Sequence, residues 1–162
     1  MCAMHGSTDA LGDALLRLAG FINDPRQDWR LLAEAGLDLD PVLLPLLVRL
    51  GAWGSAGVVE LSGHIGRDHS TISRQLARLE ASGLVTRSGS HTDGRVRAAS
   101  LTGLGQEAVA ALSAARRRLL DRALAGWAQV DRETLSLLLG RFAEALKSAP
   151  DAPLAGSTRS GP

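Results

Sequence analysis

The sequence predicts a mainly α-helical domain with one small β-hairpin, in which a helix, a tight turn and a second helix are followed by the hairpin and flanked by longer helices at both ends. Three observations carry this reading. Apolar residues recur at three- and four-residue spacing along most of the chain, the mark of amphipathic helices. The pattern turns extended only after Gly83, in Leu84–Arg87 and Arg95–Leu101, which flank a turn containing Asp93-Gly94. Residues 1–7 and 149–162 are small, polar and rich in Pro and Gly, too poor in apolar side chains to offset the entropy of ordering, so loose ends are expected around one domain over 8–148.

The first helix is expected from Thr8 to about Asn23, where Leu11, Leu15, Leu18 and Ile22 share a face and Asp13 can pair with Arg17 on the other. Asp24-Pro25 and Asp40-Pro41 each place a capping carboxylate before a proline at the first helical position, where the missing N–H costs nothing. The helices they open run to about Gly36 and Ala52, with a kink or a later start near Leu43 because Pro45 lies a turn inside the second. Gly57–Gly66 is a short helix with Val58, Leu61 and Ile65 inward. His69–Ser82 is the next, with Asp68 as N-cap, Ile72, Leu76 and Leu79 inward and Gly83 at its C-terminal cap. After the hairpin, a helix from Thr102 to about Trp127 carries Leu104, Ala108, Leu112, Ala115, Leu119 and Ala123 as one stripe. A last helix from Asp131 turns Leu135, Leu138, Phe142 and Leu146 inward.

Composition narrows the function classes. Hydrophobic residues make up 45% and charged residues 22% of the 162-residue chain, the profile of a globular domain, and no window reaches the ~18 apolar residues of a membrane span. The start has no basic region followed by an apolar one, so it does not read as a secretory signal and a cytoplasmic location is expected. Cys2 is the only cysteine, which rules out an internal disulfide or a thiolate metal cage; nothing near it lowers its pKa, so it is expected to be inert. The four histidines (5, 64, 69, 91) are not at ligand spacing on one helix, and no metal or cofactor is expected. Ser, His and Asp are present, but there is no nucleophile elbow, metal motif or Gly-rich phosphate loop, so the chain does not read as an enzyme.

The net charge is only +1, but between Arg67 and Arg97 six arginines face three carboxylates, a local excess of three positive charges. A basic stripe on a near-neutral protein is the footprint of a nucleic-acid reader. The order helix, turn, helix, hairpin is that of a winged helix-turn-helix, here about 39–102. Its two helices must cross closely, which suits Ser62 and Gly63. Burying Ile72, Leu76 and Leu79 turns His69, Ser70, Ser73, Arg74 and Arg78 outward, with Thr71 at the N-terminal edge. Short hydroxyls at a helix start can meet phosphate or base edges, and the helix dipole adds attraction for phosphate. For Ser70, Thr71 and Ser73 the competing role is helix capping or plain surface. Arg74 is the natural major-groove reader, since a guanidinium bonds bidentately to guanine. Arg87 and Arg97 add charge on the hairpin strands.

On the run Asp68-His-Ser-Thr-Ile-Ser-Arg74, then Leu79-Glu-Ala-Ser-Gly-Leu-Val85, Arg87, Asp93-Gly-Arg95, Leu101-Thr102 and Gly105, the chain resembles the MarR family of regulators over roughly Leu39 to Gly105. The resemblance implies an obligate homodimer built from the terminal helices, about 8–24 and 103–147. It places the helix from His69 in the major groove of double-stranded DNA, and the hairpin wing, tipped by Arg95, in the minor groove, with Asp93 supporting the wing. It further implies a pseudo-palindromic operator, repression, and a small-molecule effector in the crevice between helical body and winged lobe. Three departures stand out. Asp68 holds a position where Ser or Thr is commoner, which is tolerable beside phosphates only if the carboxylate is consumed in capping. His69 and Gln75 are not diagnostic, and Trp53–Gly57 is unusually glycine-rich.

Dimerisation also has support in the residues themselves. A helix of about 25 residues spans some 37 Å, and its apolar stripe, with those of the first and last helices, exceeds what the small helix-turn-helix can cover. A self-contained bundle is the competing arrangement. Trp29, Leu50, Trp53 and His64 are candidates to line the effector crevice, against burial of the two tryptophans in the core. Arg116-Arg117-Arg118 reads as a solvated face. The competing function is a winged helix used for protein contact without sequence-specific DNA binding.

Overall fold

The computed structural model describes residues 3–88 and 98–148. The elements run α1 (Ala3–Ile22), α2 (Pro25–Ala35), a 3-10 turn (Pro41–Leu43), α3 (Leu44–Trp53), β1 (Ser55–Gly57), α4 (Val58–Ile65), α5 (His69–Ala81), β2 (Val85–Ser88), β3 (Ala98–Leu101), α6 (Gly103–Ala123) and α7 (Gln129–Ser148). Contacts divide the chain into two compact units, Met1–Leu120 and Asp121–Pro162.

Helix starts follow the capping chemistry. Asp24 Oδ1 accepts from the Arg26 N–H at 3.0 Å, and Asp40 Oδ1 accepts from the Val42 N–H at 3.0 Å. The second start is split: the chain makes a 3-10 turn over Pro41–Leu43, and the α-helix begins at Leu44, so Pro45 falls in its first turn where no N–H is needed. α1 begins at Ala3, ahead of the expected Thr8. At the end of α5, Ser82 is the cap and Gly83, at φ +73°, is the residue after it.

The core lies in the first unit. Leu46, Leu47, Leu50, Leu61, Ile72, Leu76, Leu79 and Leu112 are fully buried, so α3, α4, α5 and α6 contribute to one cluster. Each such side chain is worth roughly 1.5–3 kcal/mol of burial, which is why α5 can hold only one rotation and one outward face. Ser62 is buried in α4, with its hydroxyl donating to Val58 O at 2.7 Å. Gly63, expected at the same crossing, is exposed, and a Cβ there would meet nothing within 4 Å; its neighbour alone supplies the small contact.

The hairpin acquires a third strand. The sheet order is β1-β3-β2, all antiparallel, with Ala56 opposite Ala99 and Arg87 opposite Ala99 from the other side. The glycine-rich Trp53–Gly57 stretch therefore contains β1, which is too short for alternation to reveal. α6 starts against the sheet. Thr102 Oγ1 donates to Gly83 O at 2.6 Å and accepts from the Gly105 N–H at 3.1 Å. A Cβ on Gly105 would lie 2.0 Å from Leu84 O, so only glycine permits this approach.

The long helices depart from the expected stripes. In α6 the buried residues are Gly105, Ala108, Leu112 and Ala115, while Leu104 is 56% exposed, Leu119 half-buried and Ala123 exposed. Ala108, Leu112 and Ala115 are buried as expected, and the stripe departs at its start because Gly105, not Leu104, faces Leu84. Arg118, expected on a solvated face, donates from Nε to Glu34 Oε1 and from Nη2 to Glu34 O, both at 2.7 Å, tying α6 to the last turn of α2. Along α1, Leu15 is half-buried and Leu11, Leu18 and Ile22 are exposed; in α7, Leu135 and Phe142 are half-buried and Leu138 and Leu146 exposed.

Candidate nucleic-acid interface

α5 is positioned by its apolar side, where Ile72, Gln75, Leu76 and Leu79 are buried. His69, Ser70, Arg74 and Arg78 are exposed, and Thr71 and Ser73 are half-buried. The start of the helix is closed by Asp68. Its Oδ1 accepts from the Thr71 N–H at 2.8 Å and from the Ser70 hydroxyl, and its Oδ2 accepts from the Thr71 hydroxyl at 2.6 Å. The Ser70 and Thr71 hydroxyls, with that N–H, hold the carboxyl well below the usual carboxylate range. The carboxylate is thus consumed in capping. In the single chain the same bonds occupy the hydroxyl hydrogens of Ser70 and Thr71, the capping role weighed for these residues.

The arginines differ in what they already hold. Arg87 is 18% exposed; its Nη2 donates to Ser73 O at 2.8 Å, and its Nε lies 3.4 Å from Glu80 Oε2, an ionic contact without hydrogen-bond geometry. It joins β2 to α5, with only a small part of its side chain at the surface. Arg78 Nη2 meets Asp40 Oδ2 at 2.8 Å. Arg67 donates to Val42 O at 3.1 Å. Arg74 makes only a 3.3 Å contact with the Thr71 hydroxyl and has no carboxylate partner among the described residues. Of the outward arginines of α5, it is the one left uncommitted. Asp93, Arg95 and Arg97, with His91, lie outside the described residues.

The four residues expected to line a crevice do not come together. Leu50 is fully buried in the core, and Trp29 is 60% exposed on α2, neither crevice wall nor core. Trp53 and His64 do meet, ring edge to face with centroids 4.5 Å apart, and the Arg49 guanidinium lies 4.8 Å from the centre of the Trp53 ring. Beside this stack is a cleft of about 450 Å³ lined by the apolar Val48, Ala52 and Ile65 together with Arg49, His64 and Arg67. Arg49 and Arg67 were not anticipated there; the four-residue spacing of Arg49 and Trp53 on one helix face was the available signal. A second cleft, about 350 Å³, lies between Leu37–Leu39, Leu84 and the start of α6, with Asp38 and Glu107 among its lining. Among the described residues, no three His, Cys, Asp or Glu side chains gather as metal ligands, and no helix is long and apolar enough to cross a membrane.

Comparison with known proteins agrees with this architecture. Residues 39–96, from the turn before α3 into the hairpin, match the model of the MarR family. The HTH-type transcriptional regulator YxaD of Bacillus subtilis is 36% identical over 100 residues, which is 62% of this chain and 70% of that protein. A MarR family protein from Bacillus stearothermophilus has the same fold, with a TM-score of 0.74 at 23% identity over 90% of this chain and 99% of the other. So has a MarR family transcriptional regulator from Listeria monocytogenes complexed with a 26mer DNA, with a TM-score of 0.62 at 21% identity over 81% and 87% of the two chains. With a winged helix-turn-helix in its first unit and these relatives, the chain belongs to the MarR family of transcriptional regulators.

Proposed function

We propose that the chain is a homodimeric, sequence-specific DNA-binding repressor that reads a pseudo-palindromic operator, with α5 in the major groove and the hairpin, tipped by Arg95, in the adjacent minor groove. The observation that carries this reading is Arg74, exposed at the centre of α5 with no carboxylate partner among the described residues, on a helix whose rotation the core determines. His69 and Arg78 flank it on the same outward face, and Arg95 and Arg97, supported by Asp93, extend the contacts along the wing. The DNA complex of the Listeria relative supports the same use of the fold. In this reading the chain acts by binding DNA and not by catalysis.

Self-association follows from uncovered apolar side chains. Leu11, Leu18, Phe21 and Ile22 on α1, and Leu137, Leu138 and Leu146 on α7, are exposed in the single chain. Large apolar side chains exposed on each of these helices favour burial against a partner, and twofold pairing would set two copies of α5 against two half-sites. A small-molecule effector would enter the cleft lined by Arg49, His64 and Arg67, where the two arginines favour an anionic compound. The cleft abuts the turn before α5, so its occupant can shift that helix.

The test is selection of duplex DNA by the purified chain, followed by binding to the selected site over a range of salt concentrations. Salt-sensitive retention of a palindromic site by a dimer supports the proposal. Retention that ignores both sequence and salt refutes it.

A further inference from the structure

We infer that Asp40 is a specificity-determining residue: its carboxylate holds Arg78 away from the duplex and sets an anion beside the groove-facing side of α5. This rests on the reading of α5 as the DNA-facing helix. Arg78 lies one helical turn after Arg74, so the two side chains share a face. Its Nη2 is 2.8 Å from Asp40 Oδ2, a partner 38 residues earlier in the chain. Asp40 cannot follow Arg78 into a groove. Its Oδ1 is occupied by the Val42 N–H at 3.0 Å, Pro41 stiffens the next residue, and Arg67 anchors the same turn through Val42 O at 3.1 Å.

The two side chains are 54% and 42% exposed, and a pair so open to water is weak and readily exchanged. A phosphate can therefore take Arg78, but only by displacing one anion with another while the displaced carboxylate remains nearby. Non-specific binding consists of phosphate contacts alone, so it bears this penalty in full. A cognate site is held through base contacts by Arg74, which carries no carboxylate of its own, and leaves Arg78 on Asp40, so the penalty falls on the non-specific complex alone. Asp40 thereby widens the gap between right and wrong DNA by weakening the wrong one.

The test compares the full-length chain with Asp40→Asn, Arg78→Gln, the double variant and Asp38→Asn, on the selected duplex and on a scrambled duplex of equal length, by fluorescence anisotropy at several salt concentrations. Asp40→Asn keeps an oxygen for the Val42 N–H, so the turn survives. It is expected to bind scrambled DNA several-fold more tightly, to raise the salt slope by about 0.9 as one more phosphate is contacted, and to lower the preference for the selected site. Adding Arg78→Gln should abolish the gain. Asp38→Asn removes the same charge from the same segment and should leave most of the preference intact. Equal gains from the two Asp variants, a gain that persists without Arg78, or no gain at all overturns the inference while leaving the DNA-binding reading standing. A parent chain that binds no duplex overturns both.

Discussion

Arg87 donates from Nη2 to the backbone carbonyl of Ser73 at 2.8 Å, which couples the first hairpin strand to the middle of α5. The bond involves a charged donor on a side chain that is largely shielded from water, and it supplements the helical bond that Ser73 O already accepts within α5. Arg87→Ala is expected to destabilise the domain by roughly 1–3 kcal/mol. Urea unfolding followed by circular dichroism measures this. Because Arg87 serves the fold, the salt slope of DNA binding in the folded fraction should stay at the parent value.

Gly105 is the position least tolerant of a methyl group. A Cβ there would occupy the space of Leu84 O, and backbone cannot step aside as a flexible side chain can. Gly105→Ala should cost about 1–3 kcal/mol or more, whereas Gly63→Ala, on an open helix surface, should stabilise by roughly 0.5–1 kcal/mol. Thermal midpoints of the two variants should move in opposite directions.

Asp24, Asp40 and Asp68 all cap helical turns, and all have carboxyls held below the usual range: Asp24 by the Arg26 side chain and N–H, Asp40 by the Val42 N–H and Arg78, Asp68 by Ser70 and Thr71. Each folded-state pKa lies below its unfolded value. The stability they contribute is therefore present above the unfolded value and is lost as pH falls through the folded one. The chain should lose stability progressively below about pH 4. Asp68→Asn should flatten this acid limb, and a midpoint series in urea from about pH 2 to pH 6 would reveal a limb that stays equally steep.

Arg74→Ala should weaken the selected operator by about 1–3 kcal/mol and relax preference at a single base position, because a bidentate guanidinium contact discriminates by that amount. Arg95→Ala should lower affinity for all duplexes alike and reduce the salt slope by about 0.9. Repeating the selection with each variant separates the two roles. Parent-like binding by both would falsify the assignment of these arginines to DNA.

Leu138→Glu and Phe21→Glu place a charge on exposed apolar side chains of α7 and α1. Neither residue belongs to the buried core, so each variant should keep its helical signal while sedimentation velocity shows the monomer replacing the dimer. Operator affinity should fall with it, since half-site binding loses the second contact.

The order of elements, the caps at Asp24, Asp40 and Asp68, and the inward trio Ile72, Leu76 and Leu79 were legible in the sequence. So was the outward position of Arg74. These are local properties: hydrogen bonds within a helix set its period, and a cap needs only its next two or three residues. Much of the rest was not local. β1 is three residues long and exists because β3 is there to pair with it. The buried stripe of α6 begins at Gly105 and not Leu104 because Leu84 O lies against it.

The sequence by itself determined which face of α5 would be turned outward, because apolar spacing on a helix leaves one choice of rotation. Only the tertiary structure decided which cations remain available on that surface. Around it, Arg87 is taken by a carbonyl 14 residues away, Arg67 by one 25 away and Arg78 by a carboxylate 38 away. A guanidinium on a long stem reaches whatever acceptor the folded chain brings near, and that neighbour is a product of packing between distant segments, with no trace in the spacing of nearby residues.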